Sequence, residues 1–135
     1  WGHDISPEEN PYEAGLNSVV SFKKNVNFIG KDFLTKIKDK KVNKKFVMLS
    51  LDKSKPGYPL LLHDEPIYYE GKIIGRTTSG NYSFNFKKNL AFGYINNEYS
   101  ENALLEGNLY IEIEKNKYSV ELILKPLKQT NFKNN

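Results

Sequence analysis

Short apolar stretches separated by turn residues dominate the chain from residue 45 to residue 127. Residues 109–114 alternate between apolar and polar side chains, turn at 115–117 and return as a second alternating stretch. Such alternation indicates half-buried strands. The returning stretch is 118–124, and further strands are predicted at 46–51, 65–69, 72–75 and 90–95. The pattern therefore predicts a mainly β fold, in which about six strands form a compact antiparallel β-barrel or sandwich.

The first 44 residues follow a different pattern and predict a short α+β segment ahead of the barrel. Apolar residues at 33, 34 and 37 favour a helix over 31–38, and the β-branched stretch 19–22 favours a strand. Ser6, Pro7 and Glu9 have the order of a helix N-cap and capping box, but the Asn-Pro pair at 10–11 limits them to one capped turn. We therefore divide the chain into 1–44, the barrel at 45–127 and a polar tail at 128–135.

A segment rich in hydroxyl groups and glycine, residues 74–83, links two of the predicted strands. Its sequence, Ile-Gly-Arg-Thr-Thr-Ser-Gly-Asn-Tyr-Ser, predicts a strand that gives way to a loop at 77–83. Gly75 and Gly80 permit a positive φ or a close approach of chain or ligand. We expect this loop to carry part of a site.

The net charge of +4 raises the question of a nucleic-acid partner. Nineteen lysines accompany a single arginine, Arg76, although planar guanidinium groups are the usual means of clamping phosphates. The lysines also alternate with acidic residues, so we expect a solvated surface and no nucleic-acid partner, with residues 36–45 as the one candidate basic patch. The chain has no cysteine, and no apolar run is long enough for a membrane span, so we expect no membrane partner.

Few side chains suggest catalysis when the sequence is taken alone. His3 and His63 lie far apart and have no metal-ligand spacing, which predicts ordinary surface or core histidines and no metal site. Ser79 is not in the context of a hydrolase nucleophile. Glu13 lies between aromatic and apolar residues, so we expect either a buried partner or a ligand contact. No complete active site is predicted.

Several segments together resemble one family. They are Trp-Gly-His-Asp-Ile at 1–5, Asn-Pro-Tyr-Glu-Ala-Gly-Leu at 10–16, Phe-Ile-Gly-Lys at 28–31, Thr-Thr-Ser-Gly at 77–80 and Leu-Ala-Phe-Gly-Tyr at 90–94. In this order they look like the later part of the folate-binding, glycine-cleavage T-protein-like (aminomethyltransferase) module, including its C-terminal barrel. The first and fourth motifs look closer to dimethylglycine and sarcosine dehydrogenases than to T-protein itself.

The resemblance implies that the chain is the C-terminal fragment of a tetrahydrofolate-dependent one-carbon enzyme. In such dehydrogenases a flavin (FAD) domain oxidises an N-methyl amine, and the T-protein-like half transfers the methylene group to tetrahydrofolate. The family's catalytic aspartate and pterin-reading glutamate precede the first motif, which implies that this piece has no catalytic residue and is inactive alone. Its implied partners are the missing N-terminal part of the same chain, folate and the amine. Its implied compartment is the bacterial cytoplasm or the mitochondrial matrix.

The resemblance implies that this piece contributes part of the wall of a folate-binding site. Trp1 replaces the family's first aromatic and would stack on folate or pack against the missing domain. An arginine of the family that holds the glutamate tail is replaced by Leu-His at 62–63, so Arg76 and Tyr82 are our substitutes, with Glu13 as a further folate contact. The alternatives are a stand-alone T-protein, a sulfoniopropionate demethylase, or a non-catalytic basic binding barrel.

Overall fold

A computed structural model describes residues 1–23, 26–125 and 127, so the predicted tail at 128–135 lies outside the described residues. Its six strands are β1 (Lys44–Leu51), β2 (Pro66–Tyr69), β3 (Lys72–Ser83), β4 (Lys88–Asn96), β5 (Leu109–Ile113) and β6 (Asn116–Ile123). Its helices are a short 3-10 turn at Asn17–Val19, α1 (Lys31–Ile37) and α2 (Glu101–Glu106). None of the described helices is long and apolar enough to cross a membrane.

The six strands close into one antiparallel barrel in the order β1-β4-β3-β2-β5-β6, which confirms the predicted fold class. Alternate residues of each strand point inward, as the sequence pattern requires. The fully enclosed side chains at the centre of the barrel include Leu49, Ile67, Ile74, Ile95 and Ile111. Closure leaves no free sheet edge where the two ends meet.

Two tight hairpins follow directly from the sequence. Glu70 and Gly71 join β2 to β3 with φ angles of 47° and 79°, and Glu114 and Lys115 join β5 to β6 with φ angles of 50° and 64°. Two consecutive positive φ values are characteristic of the type I′ turn, whose twist matches that of paired strands. Both predicted hairpins are present, but the turn of the second lies at 114–115 instead of the predicted 115–117.

The predicted loop at 77–83 is instead the second half of β3 and pairs with β4 as far as Ser83. The register with β4 shifts between Thr77 and Ser79, which is a β-bulge, and the hydroxyl-rich segment lies at and after this bulge. A bulge redirects side chains without ending the strand. The hydroxyl groups at 77–83 therefore lie on a strand, not on a loop.

The strand predicted at 19–22 is wrong, because the described chain has a 3-10 turn at Asn17–Val19 and no strand before β1. Val19 is 71% exposed, and no described segment pairs with this stretch, so its β-branched residues lack the ladder that a strand needs. The helix predicted over 31–38 is present as α1. The sequence reading missed α2, which begins where the Ser100 side chain accepts a hydrogen bond from the Ala103 amide.

Candidate functional site

A cavity of about 680 Å³ lies between the barrel and residues 1–14, which we call the strap. On the barrel side it is lined by the buried Ile74 and Ile95, and by Gly75. Its charged and titratable lining groups come from both sides: His3, Glu8, Glu9, Lys44, Asp64, Arg76 and Tyr94. The side chains of Ile74 and Ile95 are enclosed in the barrel core, so the exposed groups of the cavity are mainly polar. A concave site of this size with converging polar groups is typical of small-molecule binding.

Asp4 fixes the start of the strap to the barrel. Its Oδ1 accepts hydrogen bonds from Thr78 Oγ1 at 2.5 Å and Ser79 Oγ at 2.8 Å, and Tyr94 donates to the Asp4 carbonyl at 2.9 Å. In a regular strand, residues 78 and 79 would point to opposite faces. The bulge between Thr77 and Ser79 brings both hydroxyls to one carboxylate oxygen.

An ion pair fixes the middle of the strap. Lys44 Nζ lies 2.6 Å from Glu9 Oε1, while Glu9 Oε2 accepts hydrogen bonds from the Ser6 amide and hydroxyl as the predicted capping box. Burial acts to raise the pKa of Glu9, but the hydrogen bonds from Lys44 and Ser6 outweigh it and hold the pKa below its ordinary value. Glu9 is therefore a structural anion whose charge is already matched.

Tyr94 occupies the wall between the Asp4 and Glu9 anchors. Burial, together with the negative charges of Glu9, Asp4 and Glu13, raises the pKa of its hydroxyl to about 12. The hydroxyl therefore stays protonated at neutral pH and serves as a hydrogen-bond donor to the strap.

The loop before β2 is held in a defined shape beside the cavity. Glu65 accepts a hydrogen bond from the Leu62 amide at 2.7 Å and another from the Thr77 hydroxyl, while the Asp64 amide donates to the Thr77 carbonyl at 2.9 Å. Asp64 has a φ of 64°, a left-handed conformation that aspartate adopts more readily than most other non-glycine residues. These bonds fix the positions of His63 and Asp64.

Both histidines, the single arginine and an aspartate converge at this loop. Asp64 lies 2.7 Å from His63 Nδ1 and 3.2 Å from an Arg76 terminal nitrogen, and the rings of His63 and His3 are 5.7 Å apart. The hydrogen bond from His63, followed by the charge of Arg76, lowers the pKa of Asp64. The histidines that are far apart in sequence are thus neighbours, because the Asp4 anchor brings His3 to the 62–65 loop. No group of three or more potential metal ligands occurs among the described residues.

Of the four predicted folate contacts, only Arg76 lines this cavity. Trp1 is 87% exposed at the end of the strap. Glu13 is buried, with its Oε2 3.2 Å from the Asn10 amide and its carbonyl bound to the Phe46 amide at 2.9 Å. Tyr82 packs edge-on against Phe84 at 5.2 Å, beside a separate shallow groove.

Residues that the sequence reading overlooked make up much of the cavity. The sequence identifies Glu9 only as part of a capping box, and it gives no signal for Asp4, Lys44 or Asp64. A partial signal exists for Glu9, because the capping-box spacing identifies it as an acceptor. The contacts of Lys44 and Asp64 depend on long-range pairing, which no local pattern reports.

Residues 44–128 match the model of the glycine cleavage T-protein C-terminal barrel domain. Dimethylglycine dehydrogenase of Rattus norvegicus is 35% identical over 130 residues, which cover 94% of this chain and 14% of that protein. The pyruvate dehydrogenase phosphatase regulatory subunit of Mus musculus is 37% identical over 98 residues, which cover 72% of this chain and 11% of that protein. The chain therefore spans about one seventh or less of these relatives.

The crystal structure of the aminomethyltransferase T of the glycine cleavage system from Bartonella henselae has the same fold. It superposes with a TM-score of 0.71 at 22% identity over 88% of this chain and 32% of that one. Since the family model matches more than half of the residues and the closed six-stranded barrel is present, this chain belongs to the glycine cleavage T-protein C-terminal barrel family.

Proposed function

We propose that this chain is the C-terminal part of a tetrahydrofolate-dependent one-carbon enzyme of the dimethylglycine or sarcosine dehydrogenase type. Its T-protein-like half would transfer the methylene group from an oxidised N-methyl amine to tetrahydrofolate. The similarity to dimethylglycine dehydrogenase over 94% of the chain, across both strap and barrel, supports this assignment. In the cell we place it in the bacterial cytoplasm or the mitochondrial matrix.

The observation that carries the proposal is the direct bonding between two motifs of the resemblance. Asp4 of the Trp-Gly-His-Asp motif accepts hydrogen bonds from Thr78 and Ser79 of the Thr-Thr-Ser-Gly motif. Because the two motifs build one cavity together, they form a unit that a barrel domain alone would lack. We assign this unit the role of one wall of the folate site.

The residues of this chain fit part of a folate molecule. Trp1 presents an exposed indole for stacking on an aromatic ring, and Arg76 presents a guanidinium whose side chain is 67% exposed for a carboxylate. Glu13 and Tyr82 remain proposed contacts, although both lie outside the cavity and would require a surface supplied by another part of the enzyme. The catalytic aspartate, the pterin-reading glutamate and any FAD site are assigned to an N-terminal part, without which this piece is inactive.

An apolar surface suits the docking of that N-terminal part. Large apolar side chains before β1 are exposed to 58% or more at Trp1, Val19, Val26, Ile29 and Phe33, and α1 has no buried residue. Several large apolar side chains exposed in one part of the chain are more than scattered surface residues need, and contiguous apolar patches are typical of interaction surfaces. We propose that the preceding part of the same chain covers them.

The first experiment is to read the coding sequence upstream of Trp1. Several hundred residues that include a G-x-G-x-x-G strand-helix unit would support a flavin-linked dehydrogenase. An upstream segment of about 200–250 residues, roughly one or two domains, would favour a T-protein or a demethylase. A gene that encodes only a short leader there would refute the enzyme proposal.

A direct test uses the full-length product with dimethylglycine, a dye electron acceptor and tetrahydrofolate. We expect dye reduction and 5,10-methylenetetrahydrofolate, whereas free formaldehyde would replace that product in a Trp1→Ala variant if Trp1 orients folate. Leu60→Ala is the matched control, since Leu60 is also exposed, at 59%, and does not line the cavity. Equal product ratios in both variants would remove Trp1 from the folate wall.

A second candidate is a non-catalytic binding barrel, which the similarity to a phosphatase regulatory subunit favours. If the ligand of this barrel is a polyanion, the lysines of residues 36–45 would bind it, and the affinity would fall steeply as the salt concentration rises. Heparin retention at low salt, together with no folate binding by the full-length product, would select this candidate over the enzyme.

A further inference from the structure

One end of the barrel exposes large apolar side chains. It is formed by the β1–β2 loop at 52–65 and by the turns at 84–87 and 114–115, and we call it the loop end. Four apolar side chains of the loop end are between 49% and 76% exposed: Tyr58, Leu60, Leu62 and Phe84. None of them belongs to the buried core, so the loop end has apolar surface that the fold itself does not use.

The fold fixes the outward direction of these side chains. Leu61 is 5% exposed and lies against Gly80 of β3, while Leu60 and Leu62 on either side of it are exposed. The Asn89 side chain donates a hydrogen bond of 2.8 Å to the Pro59 carbonyl and holds the same part of the loop against β4. The two leucines are therefore presented to solvent by a segment that is tied to the barrel.

Six lysines surround this apolar surface. Residues 52–65, 84–88 and 114–117 contain Lys53, Lys55, Lys87, Lys88, Lys115 and Lys117, against the four carboxylates Asp52, Asp64, Glu65 and Glu114. Two of these carboxylates are engaged within the protein, since Asp64 lies 3.2 Å from Arg76 and Glu65 accepts a hydrogen bond from the Leu62 amide. On β6, Glu121 lies 3.9 Å from Lys88. With Arg76 and Glu121 included, the loop end keeps a positive net charge.

The strand connections at the opposite end of the barrel have the opposite charge. They are the turn at 70–71 and the segment at 97–108, and together they carry four carboxylates and no lysine. Their one large exposed apolar side chain among the described residues is Leu105, on α2. A charge difference of this kind directs the loop end toward a negatively charged surface.

The shape of the loop end favours a lipid surface as that partner. Phe84 projects from the turn between β3 and β4, and none of the four apolar side chains lines the strap cavity or the groove beside Tyr82. A bilayer interface accepts projecting apolar side chains, and lysines beside them lay their stems along apolar surface while their charged ends stay at the headgroups. A nucleic acid would use the lysines and leave Leu60 and Leu62 in water.

We propose that the loop end binds peripherally to an anionic lipid bilayer, with Leu60, Leu62 and Phe84 in the interface and the lysines on the lipid headgroups. A peripheral contact requires no spanning segment, so it differs from the sequence expectation of no membrane partner, which considered only spans. The proposal does not rest on the folate assignment, because the three apolar side chains lie outside the strap cavity.

The test is co-sedimentation of the full-length product with two kinds of vesicle, one of equal parts phosphatidylcholine and phosphatidylglycerol and the other of phosphatidylcholine alone. We expect binding at least about tenfold tighter on the anionic vesicles, because each lysine near such a surface contributes roughly fivefold. That binding should weaken as the salt concentration rises. Failure to bind the anionic vesicles, or equal binding to both kinds, would overturn the proposal, whatever the outcome of the folate assay.

Two pairs of variants separate the loop end from the rest of the surface. Phe84→Ser and Lys87→Asn should each weaken binding to the anionic vesicles at least about fivefold. Asparagine tolerates the positive φ of 54° at residue 87, so the turn is kept. The matched controls are Leu105→Ser, at a side chain 50% exposed on α2, and Lys72→Gln at the opposite end of β3, and both should bind as the parent does.

Heparin distinguishes a lipid surface from a general polyanion. Phe84→Ser should lose vesicle binding and keep the parent's heparin retention, because heparin offers no apolar interior. Vesicle binding that survives Phe84→Ser, or that falls equally in Leu105→Ser, would overturn the assignment of this surface to lipid. Thermal unfolding of each variant verifies the fold, which substitution of a side chain as exposed as Phe84 should leave intact.

Discussion

Asp4 and Ser79 are 75 positions apart in the chain and form a 2.8 Å hydrogen bond that joins the strap to the barrel. Thr78 donates to the same oxygen at 2.5 Å, so one carboxylate satisfies two hydroxyls that a β-bulge has placed side by side. The cavity exists because this bond holds the strap across the barrel. Loss of the hydrogen bonds to Asp4 should therefore lower the free energy of unfolding and alter the cavity.

We predict that Asp4→Ala lowers the free energy of unfolding by about 1–3 kcal/mol, because it removes charge-assisted hydrogen bonds to part-buried hydroxyls. Ser79→Ala should cost about 1 kcal/mol in the parent and almost nothing once Asp4 is gone. Denaturant unfolding of the four members of this double-mutant cycle measures the coupling. The control is Ser119→Ala on β6, which removes an exposed hydroxyl. Additive losses of unfolding free energy for the substitutions at 4 and 79 would contradict a direct hydrogen bond between Asp4 and Ser79.

The Glu9–Lys44 ion pair predicts a distinct response to acid. The folded-state pKa of Glu9 lies below its ordinary value of 4.5, so the stability that it contributes is present above that pH and is lost as the pH falls below it. Unfolding free energies measured against pH should fall less steeply in Glu9→Gln than in the parent over this acid range. Glu8→Gln, a neighbouring carboxylate without an ion pair among the described residues, should follow the parent curve.

The barrel was predictable because its information is local. Alternation at 109–113 and the Glu70-Gly71 turn fix strands and hairpins through side-chain periodicity and backbone preference, and both are present. The same local reasoning failed at residues 77–83, where hydroxyl-rich composition favours a loop but pairing with β4 imposes a strand. It also failed at residues 19–22, where β-branched residues have no strand to pair with.

The candidate site was harder to predict because distant contacts create it. Arg76 was identified as a site residue and lies in the cavity. The approach of His3 to His63, however, depends on the Asp4 anchor and on the Glu65–Thr77 bonds, which join residues 12 or more positions apart. A single sequence shows each of these residues separately and gives no measure of their distance.

Ser50 predicts a substitution that should not destabilise the barrel. Its side chain is fully buried in β1, and its hydroxyl has no hydrogen-bond partner among the described residues. A buried hydroxyl without a partner has lost its bonds to water, so Ser50→Ala should be neutral or raise the free energy of unfolding by about 1 kcal/mol. Thr77→Val, which removes a hydroxyl bonded to Glu65, should instead cost about 1–2 kcal/mol. A loss in Ser50→Ala as large as that in Thr77→Val would indicate an ordered water at Ser50.

Two glycines of β3 differ in what a methyl group would meet, and they give a matched pair of variants. At Gly75 an added Cβ would fall on the backbone carbonyl of Tyr94 and lie 2.8 Å from the Ile95 Cα, so neither neighbour can rotate away. At Gly80 the nearest atoms belong to the Leu61 side chain, at 2.7 Å and 2.8 Å, and a side chain adjusts more easily than the backbone of a paired strand.

We therefore predict that Gly75→Ala costs about 3 kcal/mol or more and that Gly80→Ala costs about 1–2 kcal/mol, as expected for overpacking against rigid and adjustable neighbours. Thermal and denaturant unfolding measure both. Equal destabilisation by the two substitutions would mean that β3 and β4 separate at Gly75 as readily as the Leu61 side chain adjusts at Gly80, which their paired register argues against.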